Sequence, residues 1–422
     1  MRLEDVFAEL QLDVACLPVV SANWERSVAS CPAVGPFFLE PGFSAEYYPL
    51  TKGPASVQAP LAEVALALSR TAAGRLLAWH AHRTLCEYDR EKSRFREWPD
   101  LDVHLGENGG LFYLLIALSC IPEWLRAFRQ AGIPEQHARD CAAWLGGALG
   151  IYGAAHGGHP GLNRRQLYWT GWYMTNKLFR IGRFEYMNQE IGNSYPTVYR
   201  QRASGRVLAL CNSGWLLNRE GFWLYNDQAP TEAYRVTELK DDGTTVSGTP
   251  ISPWGQALPE CPVRLPLADW ERVLGPGDFA PGLHIPAGGG MTLAVAGESL
   301  RQAQAFYRQY FPDRPVKAFV CASWIFNTQF EAALPDSNLA TFMRQLYLLP
   351  WRSGGRDGLF FIFGRDDGDP KDYPRGNSMR RAMLDILASG RRLRCGGMFI
   401  LPEHLEHFGQ EYYRRTWTPV GG

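Results

Sequence analysis

One stretch of the sequence has the residue types, in the right order, for anion binding and proton transfer. Leu283-His284-Ile285 reads as a short strand. It runs into Ala287-Gly288-Gly289-Gly290, and a helical pattern follows. Glycines let backbone N–H groups come close to an anion, and a helix start adds partial positive charge. Strand, Gly-rich loop and helix in that order could cradle the pyrophosphate of a nucleotide-like cofactor. The competing reading is an ordinary loop, because AGGG fits neither the dinucleotide fingerprint nor the P-loop pattern. His284 at the strand end carries an imidazole whose ordinary pKa suits acid–base work at neutral pH. A lone histidine at a strand end also serves as a satisfied structural group.

Other chemistries find less support. His156 and His159 lie in a Gly/Pro loop with no Cys or carboxylate nearby. His80 and His82, two residues apart on a helix, point to different sides. No metal is expected from either pair. There is no G-x-S-x-G elbow for a nucleophilic serine, and Cys321 sits mid-strand among apolar neighbours, as a core thiol does. The cluster Asp366-Asp367-Gly368-Asp369 lacks the spaced ligands and terminal Glu of a calcium loop and reads as an exposed turn. Nine cysteines are scattered without a CxxC pair, several of them inside apolar runs. With no apolar signal core at the start, this describes reduced thiols in a cytoplasmic protein without disulfides.

The elements that must position these residues fall into two halves. A chain of 422 residues exceeds one ordinary domain, and 46% hydrophobic with 20% charged residues describes a globular core. The 43 Lys+Arg balance 43 Asp+Glu, so no field attracts a polyanion, and neither nucleic acid nor a membrane is expected as partner. The apolar run 110–121 is shorter than the roughly 20 residues of a membrane span and reads as a buried helix. Residues 1–160 are predicted as a helical domain, with an irregular loop over 17–60, a long helix from Pro60 to about Tyr88, and a further helix from Gly132-Ile133-Pro134. Residues 161–417 are predicted as a mixed α/β domain. Its strands are placed at 180–188, 206–211, 222–225, 316–325, 358–364 and 396–401, with a hairpin turning at Asp241-Asp242-Gly243. Helices are placed at 299–311, opened by a Ser299/Gln302 capping box, from Ser337-Asn338 through Tyr347, and at 378–388. The aromatic content of 13% reads mostly as core. An exposed carbohydrate-binding face is a weaker alternative, and Tyr168 to Tyr173 read as domain packing or an acceptor-pocket wall.

An ordered set of segments carries a resemblance. It comprises Leu178-Phe179-Arg180-Ile181-Gly182-Arg183-Phe184-Glu185, Leu283-His284-Ile285-Pro286 with its glycines, and Ala305-Phe306-Tyr307. It continues through Tyr310-Phe311-Pro312, Cys321-Ala322-Ser323-Trp324, Ser337-Asn338-Leu339 with Phe342, and Ser378-Met379-Arg380-Arg381-Ala382. Across about residues 105–400 the chain resembles a bacterial acyltransferase-domain family that joins a helical N-terminal domain to a GNAT-like C-terminal domain.

The resemblance implies an α+β fold with a mixed, splayed central sheet, and acyl-CoA (acetyl-CoA) as co-substrate, without a metal. It implies an N-acyltransferase in which a small-molecule amine attacks the thioester directly. His284 is then the base, Glu185 the second candidate base and Tyr347 the acid. Ile285, Gly288, Gly289, Gly290, Ser323 and Asn338 would hold the cofactor. The segment departs from the family pattern in two ways. No Arg or Gln leads an R/Q-x-x-G-x-G/A loop, and Phe342 stands where a Tyr acid is expected. Those departures motivate the alternative of a non-catalytic GNAT-like ligand-binding or protein-interaction module. The oligomeric state is not legible.

Overall fold

Apolar residues at helical spacing dominate the first half, and in the computed structural model they form helices. The structure describes residues 1–88, 94–225, 229–288 and 290–418. Two compact units are present: Met1–Arg180 with Pro286–Gly288, and Ile181–Ile285 with Gly289–Gly422. The first is helical and the second is a mixed α/β unit, as the sequence predicts.

In the first unit, helix Gly109–Leu118 is buried at every residue, which explains its continuous apolar run. The long helix expected from Pro60 is two helices, Gln58–Ser69 and Ala72–Cys86, because Thr71 caps the second by accepting from Gly74 N–H at 3.0 Å. The loop expected over 17–60 is a series of short helices, among them Leu17–Val20, Trp24–Ser30 and Pro41–Tyr47. Pro18 and Pro41 lie in first turns, where a missing N–H does no harm. The unit reaches Arg180 rather than ending near 160. Tyr173 packs on Trp124 with ring centroids 4.9 Å apart, and Asn176 Nδ2 donates to the Ala127 carbonyl at 3.0 Å, so residues 161–180 join the helices.

The second unit holds five strands of a six-stranded sheet. Its order is Leu178–Ile181, Phe184–Met187, Gly282–His284, Phe319–Ser323, Gly396–Ile400, Tyr347–Pro350. Gly282–His284 and Phe319–Ser323 run parallel and are joined through helix Leu293–Tyr310; the flanking pairs are antiparallel. A parallel pair needs such a crossover. A five-stranded antiparallel sheet has the order Gln256–Ala257, Pro250–Ser252, Val207–Leu210, Thr197–Gln201, Trp270–Leu274. The expected hairpin pairs Lys240 with Ser247 and Asp241 with Val246.

Further expectations are corrected. Residues 222–225 form no strand, and Trp223 makes only an isolated bridge to Leu217. Residues 358–364 form a helix, Leu359–Phe363, between two glycines; a short continuous apolar run does not distinguish helix from strand. The helix expected at Ser299 starts at Leu293, with Thr292 as its cap, and Ser299 is buried within it. The strand expected over 316–325 is confined to Phe319–Ser323. The helix from Asn338 ends at Met343, so Tyr347 is in a strand and not on that helix.

Candidate active site

His284 pairs directly with Glu185, and Leu283 with Tyr186, in the antiparallel register of the two central strands. The Tyr186 hydroxyl lies 3.0 Å from Ser299 Oγ on helix Leu293–Tyr310. Tyr186 and Leu283 therefore face that helix. Glu185 and His284, one position along each strand, face the other side of the sheet. Directly opposed residues of an antiparallel pair have Cβ atoms about 5 Å apart, so a carboxylate and an imidazole are neighbours there. Glu185 is buried and His284 half-buried. Burial pushes the His284 pKa down to about 4, which leaves its imidazole neutral at pH 7.

The parallel strands beside this pair separate at the same point. Gly282 is in register with Val320, whose N–H donates to the Pro281 carbonyl at 3.1 Å. Among the described residues that register extends no further. Leu283 and His284 pair toward Tyr186 and Glu185, while Cys321 to Ser323 pair toward Met398 to Gly396. Gln189 lies against Gly282 where the strands part: a Cβ there would come within 2.9 Å of Gln189 Nε2, the end of a flexible side chain. Gln189 is hydrogen-bonded to the Tyr195 side chain, and burial, with Cys321 close by, raises the Tyr195 phenol well above its ordinary pKa. Tyr195 thus remains an O–H donor at any working pH. The Cys321 thiol is pushed up to about 12 by burial and is no nucleophile.

Beyond His284 the chain enters the Gly-rich loop. Ile285 is half-buried; Gly288 (φ +80°) and Gly290 (φ +64°) are exposed, in the left-handed region that favours glycine, and a Cβ on either would meet nothing within 4 Å. Gly289 lies outside the described residues. Arg183, buried in the turn between the first two strands, donates from Nε to the Gly290 carbonyl at 2.6 Å. A guanidinium from elsewhere in the sequence therefore holds the loop that lacks its own leading Arg or Gln. Thr292 then starts an 18-residue helix, Leu293–Tyr310, whose first N–H groups follow the loop directly.

The remaining expected residues lie apart from this pair. Tyr347 is on the sheet's far edge, three strand spacings or roughly 14 Å from the His284 strand. Its hydroxyl donates to the Ile251 carbonyl and accepts from Ala209 N–H, and its ring stacks on Phe399. It is a buried structural group, not the expected acid. Asn338 is exposed at the first position of its helix. Ser323 ends the Phe319–Ser323 strand and caps the following turn by accepting from Ile325 N–H at 3.4 Å. Phe342, in the place expected for a tyrosine acid, packs on Phe184 at 5.6 Å, within the core. The structure thus brings His284, Glu185 and Ile285 to one strand end, with Gly290 held by Arg183, and leaves Tyr347 and Asn338 out. Sequence reading missed Tyr195 and Gln189, which no motif marks, and the role of Arg183.

A model of the GNAT-like C-terminal domain matches residues 178–399. Among solved structures, an acyltransferase in complex with decanoyl-CoA and teicoplanin is 17% identical, with a TM-score of 0.61 over 95% of this chain and 99% of that one. A mutant acyltransferase with octanoyl-CoA is 18% identical, TM-score 0.61, with the same coverage. An acyltransferase with CoA and 10C-teicoplanin is 16% identical, TM-score 0.60, again over 95% and 99% of the two chains. At such identity the likeness is one of fold. No curated protein matches the sequence.

Proposed function

The chain belongs to the GNAT-like C-terminal domain family, and on that premise we propose that it is an acyl-CoA-dependent N-acyltransferase. The observation that carries this reading is the parting of the parallel strands just past Gly282 and Val320, with His284 and Glu185 paired at its mouth. A backbone N–H freed from one ladder is a donor for a developing oxyanion. Gly290 and the first turn of helix Leu293–Tyr310 supply backbone donors for the pyrophosphate of the donor, with Arg183 fixing the chain at Gly290.

In this reading the amine nitrogen attacks the thioester carbonyl and the C–S bond breaks. The proton lost by the amine passes to the Glu185–His284 pair and from it to the departing thiolate, toward which the Tyr195 hydroxyl donates a hydrogen bond. The products are an amide and free CoA. His284 is neutral at pH 7 and can take up that proton, while burial keeps the Tyr195 phenol protonated as a hydrogen-bond donor and too weak an acid to give its proton up. We assign Ile285 to the same donor site and keep Ser323, at the end of the parting strand, as a further contact; Asn338 is exposed and open to the donor. We propose acyl chains of the octanoyl or decanoyl kind, because the structures that share the fold were solved with those thioesters; acetyl-CoA is the shorter comparison. The acceptor is proposed to be a small molecule bearing an amine, and teicoplanin, bound in two of those structures, belongs in the acceptor panel. The setting is proposed to be cytoplasmic.

The test is release of CoA thiol from acetyl-, octanoyl- and decanoyl-CoA against a panel of amines, with calorimetric binding of each thioester alongside. Thiol release that depends on the amine supports the proposal; no binding of any thioester overturns it. Phe342 in the tyrosine position favours a second reading, a binding module that keeps the fold. That reading predicts tight thioester binding with no thiol released against any amine.

A further inference from the structure

Away from this site, the helical unit places three soft or nitrogenous donors together. His82 and Cys86 lie four residues apart on helix Ala72–Cys86 and share a face. Cys120 lies between helices Gly109–Leu118 and Ile121–Gln130. Their ligand atoms are all within 4.8 Å of one another: the two Sγ atoms are 2.9 Å apart, and Cys86 Sγ is 3.6 Å from His82 Nδ1. His82 and Cys120 are buried, and Cys86 is half-buried at the helix end. The rings of Phe37, Phe38 and Trp79 surround the imidazole at 5.3 to 5.5 Å and form an apolar shell that excludes water.

We propose that His82, Cys86 and Cys120 form a structural site for a thiophilic divalent cation, Zn(II). One imidazole and two thiolates are a soft donor set with no carboxylate, which selects zinc over the hard cations. Two thiolates and a neutral imidazole cancel the charge of a divalent ion, so the filled site can be buried without an unpaired charge. Ser119 adjoins it. Its hydroxyl oxygen lies 2.8 Å from His82 Nδ1 and 2.7 Å from the Ile116 carbonyl. The hydroxyl donates to Ile116, so His82 Nδ1–H donates to Ser119 Oγ; the ion would take the place of that Nδ1 proton, with the serine oxygen beside the fourth position. Two sulfurs on one tetrahedral zinc stand about 3.8 Å apart. A turn of the half-buried Cys86 side chain, at the last residue of its helix, provides that opening. The ion would pin helix Ala72–Cys86 to the junction of the two apolar helices. This inference is independent of the proposed reaction.

The test uses the full chain, reduced, stripped with a chelator and titrated with Zn(II) against a chromophoric competitor, with Co(II) as spectroscopic probe. The expected result is one tight equivalent of Zn(II) and thiolate-to-cobalt charge-transfer absorption. Cys86→Ser and Cys120→Ser should each lose the charge-transfer band in part and weaken Zn(II) binding by about 100-fold or more. Cys261→Ser, at an exposed thiol, should change neither. Should the variants fail to fold, protection of Cys86 and Cys120 from alkylation by Zn(II) in the unaltered chain reads the same site. Failure of the reduced chain to take up Zn(II) and Co(II) would overturn the proposal, as would recovery of Cys86 and Cys120 as a disulfide that forms equally with Zn(II) present.

Discussion

Glu185 and His284 stand directly opposite each other across an antiparallel pair, on the sheet face turned away from helix Leu293–Tyr310. No local pattern pairs them, since they are separated by nearly one hundred positions. The hairpin that carries Glu185 and the strand that ends in His284 make them one unit of acid–base chemistry.

Removing either partner should slow the chemical step. Glu185→Gln and His284→Gln are each expected to lower kcat by about 100-fold or more, within the usual range for a general base. KM for the acyl-CoA should move little, because the donor is held elsewhere. Groups that act together are not additive, so the double variant should be no slower than the worse single one. Initial rates of thiol release decide it: single variants within a few-fold of the parent would exclude the pair as the base.

The two tyrosines should separate cleanly. Tyr195→Phe removes a protonated donor beside the parting strands and should lower kcat by roughly 100-fold, with a fall in melting temperature no larger than that of Tyr347→Phe, since Gln189 also loses a partner. Tyr347→Phe leaves the Ile251 carbonyl and the Ala209 N–H without their partner, at a cost of about 1–3 kcal/mol. Its kcat should stay close to the parent value. The reverse assignment, activity lost with Tyr347 and stability with Tyr195, would return the acid to the strand at the sheet's far edge.

Some of this was legible in the sequence because it depends on local pattern. The helical first half, the mixed second half and the strand, Gly-rich loop and helix after His284 all follow from periodicity and glycine placement. What was hidden depends on tertiary context. Ser299 has the spacing of a capping box, yet its hydroxyl donates to the Ile181 carbonyl at 2.5 Å and accepts from Phe184 N–H, a use that only the fold reveals. Tyr347 continues a helical stripe on paper, but the helix stops at Met343 and the residue joins the sheet. Arg183 lies 107 positions from the loop it anchors, so no local rule would assign it.

That anchor gives a binding prediction. Arg183→Met keeps the buried stem but removes the Nε donor to the Gly290 carbonyl, and charge-assisted hydrogen bonds contribute about 1.5–3 kcal/mol. The dissociation constant for acyl-CoA is expected to rise by roughly 10-fold or more, while the thermal midpoint falls modestly. Gly290→Val forces a β-branched residue to φ +64° and should weaken donor binding in the same direction. Calorimetry with decanoyl-CoA measures both, and unchanged affinity in the two variants would remove the loop from the donor site.

Stability should fall in mild acid, and His80 gives the clearest account of why. Its Nδ1 lies 2.8 Å from Ser27 Oγ and its Nε2 2.7 Å from the Val20 carbonyl, inside the helical unit. Burial pushes its pKa from 6.5 down to about 4, against a smaller opposing pull from the Val20 carbonyl. The unfolded chain therefore binds a proton that the folded chain refuses between about pH 6.5 and pH 4. Stability from this group is fully present above pH 6.5 and is lost as the pH falls toward 4. At about pH 5 the loss amounts to roughly 2 kcal/mol, at 1.36 kcal/mol per unit. His284 and His404, also pushed down to about 4, act in the same direction. Thermal midpoints measured from pH 7 to about pH 4.5 should drop across that window, and His80→Gln should show a shallower drop than the parent from a lower starting value. Parallel pH profiles for parent and variant would mean that His80 does not carry this dependence.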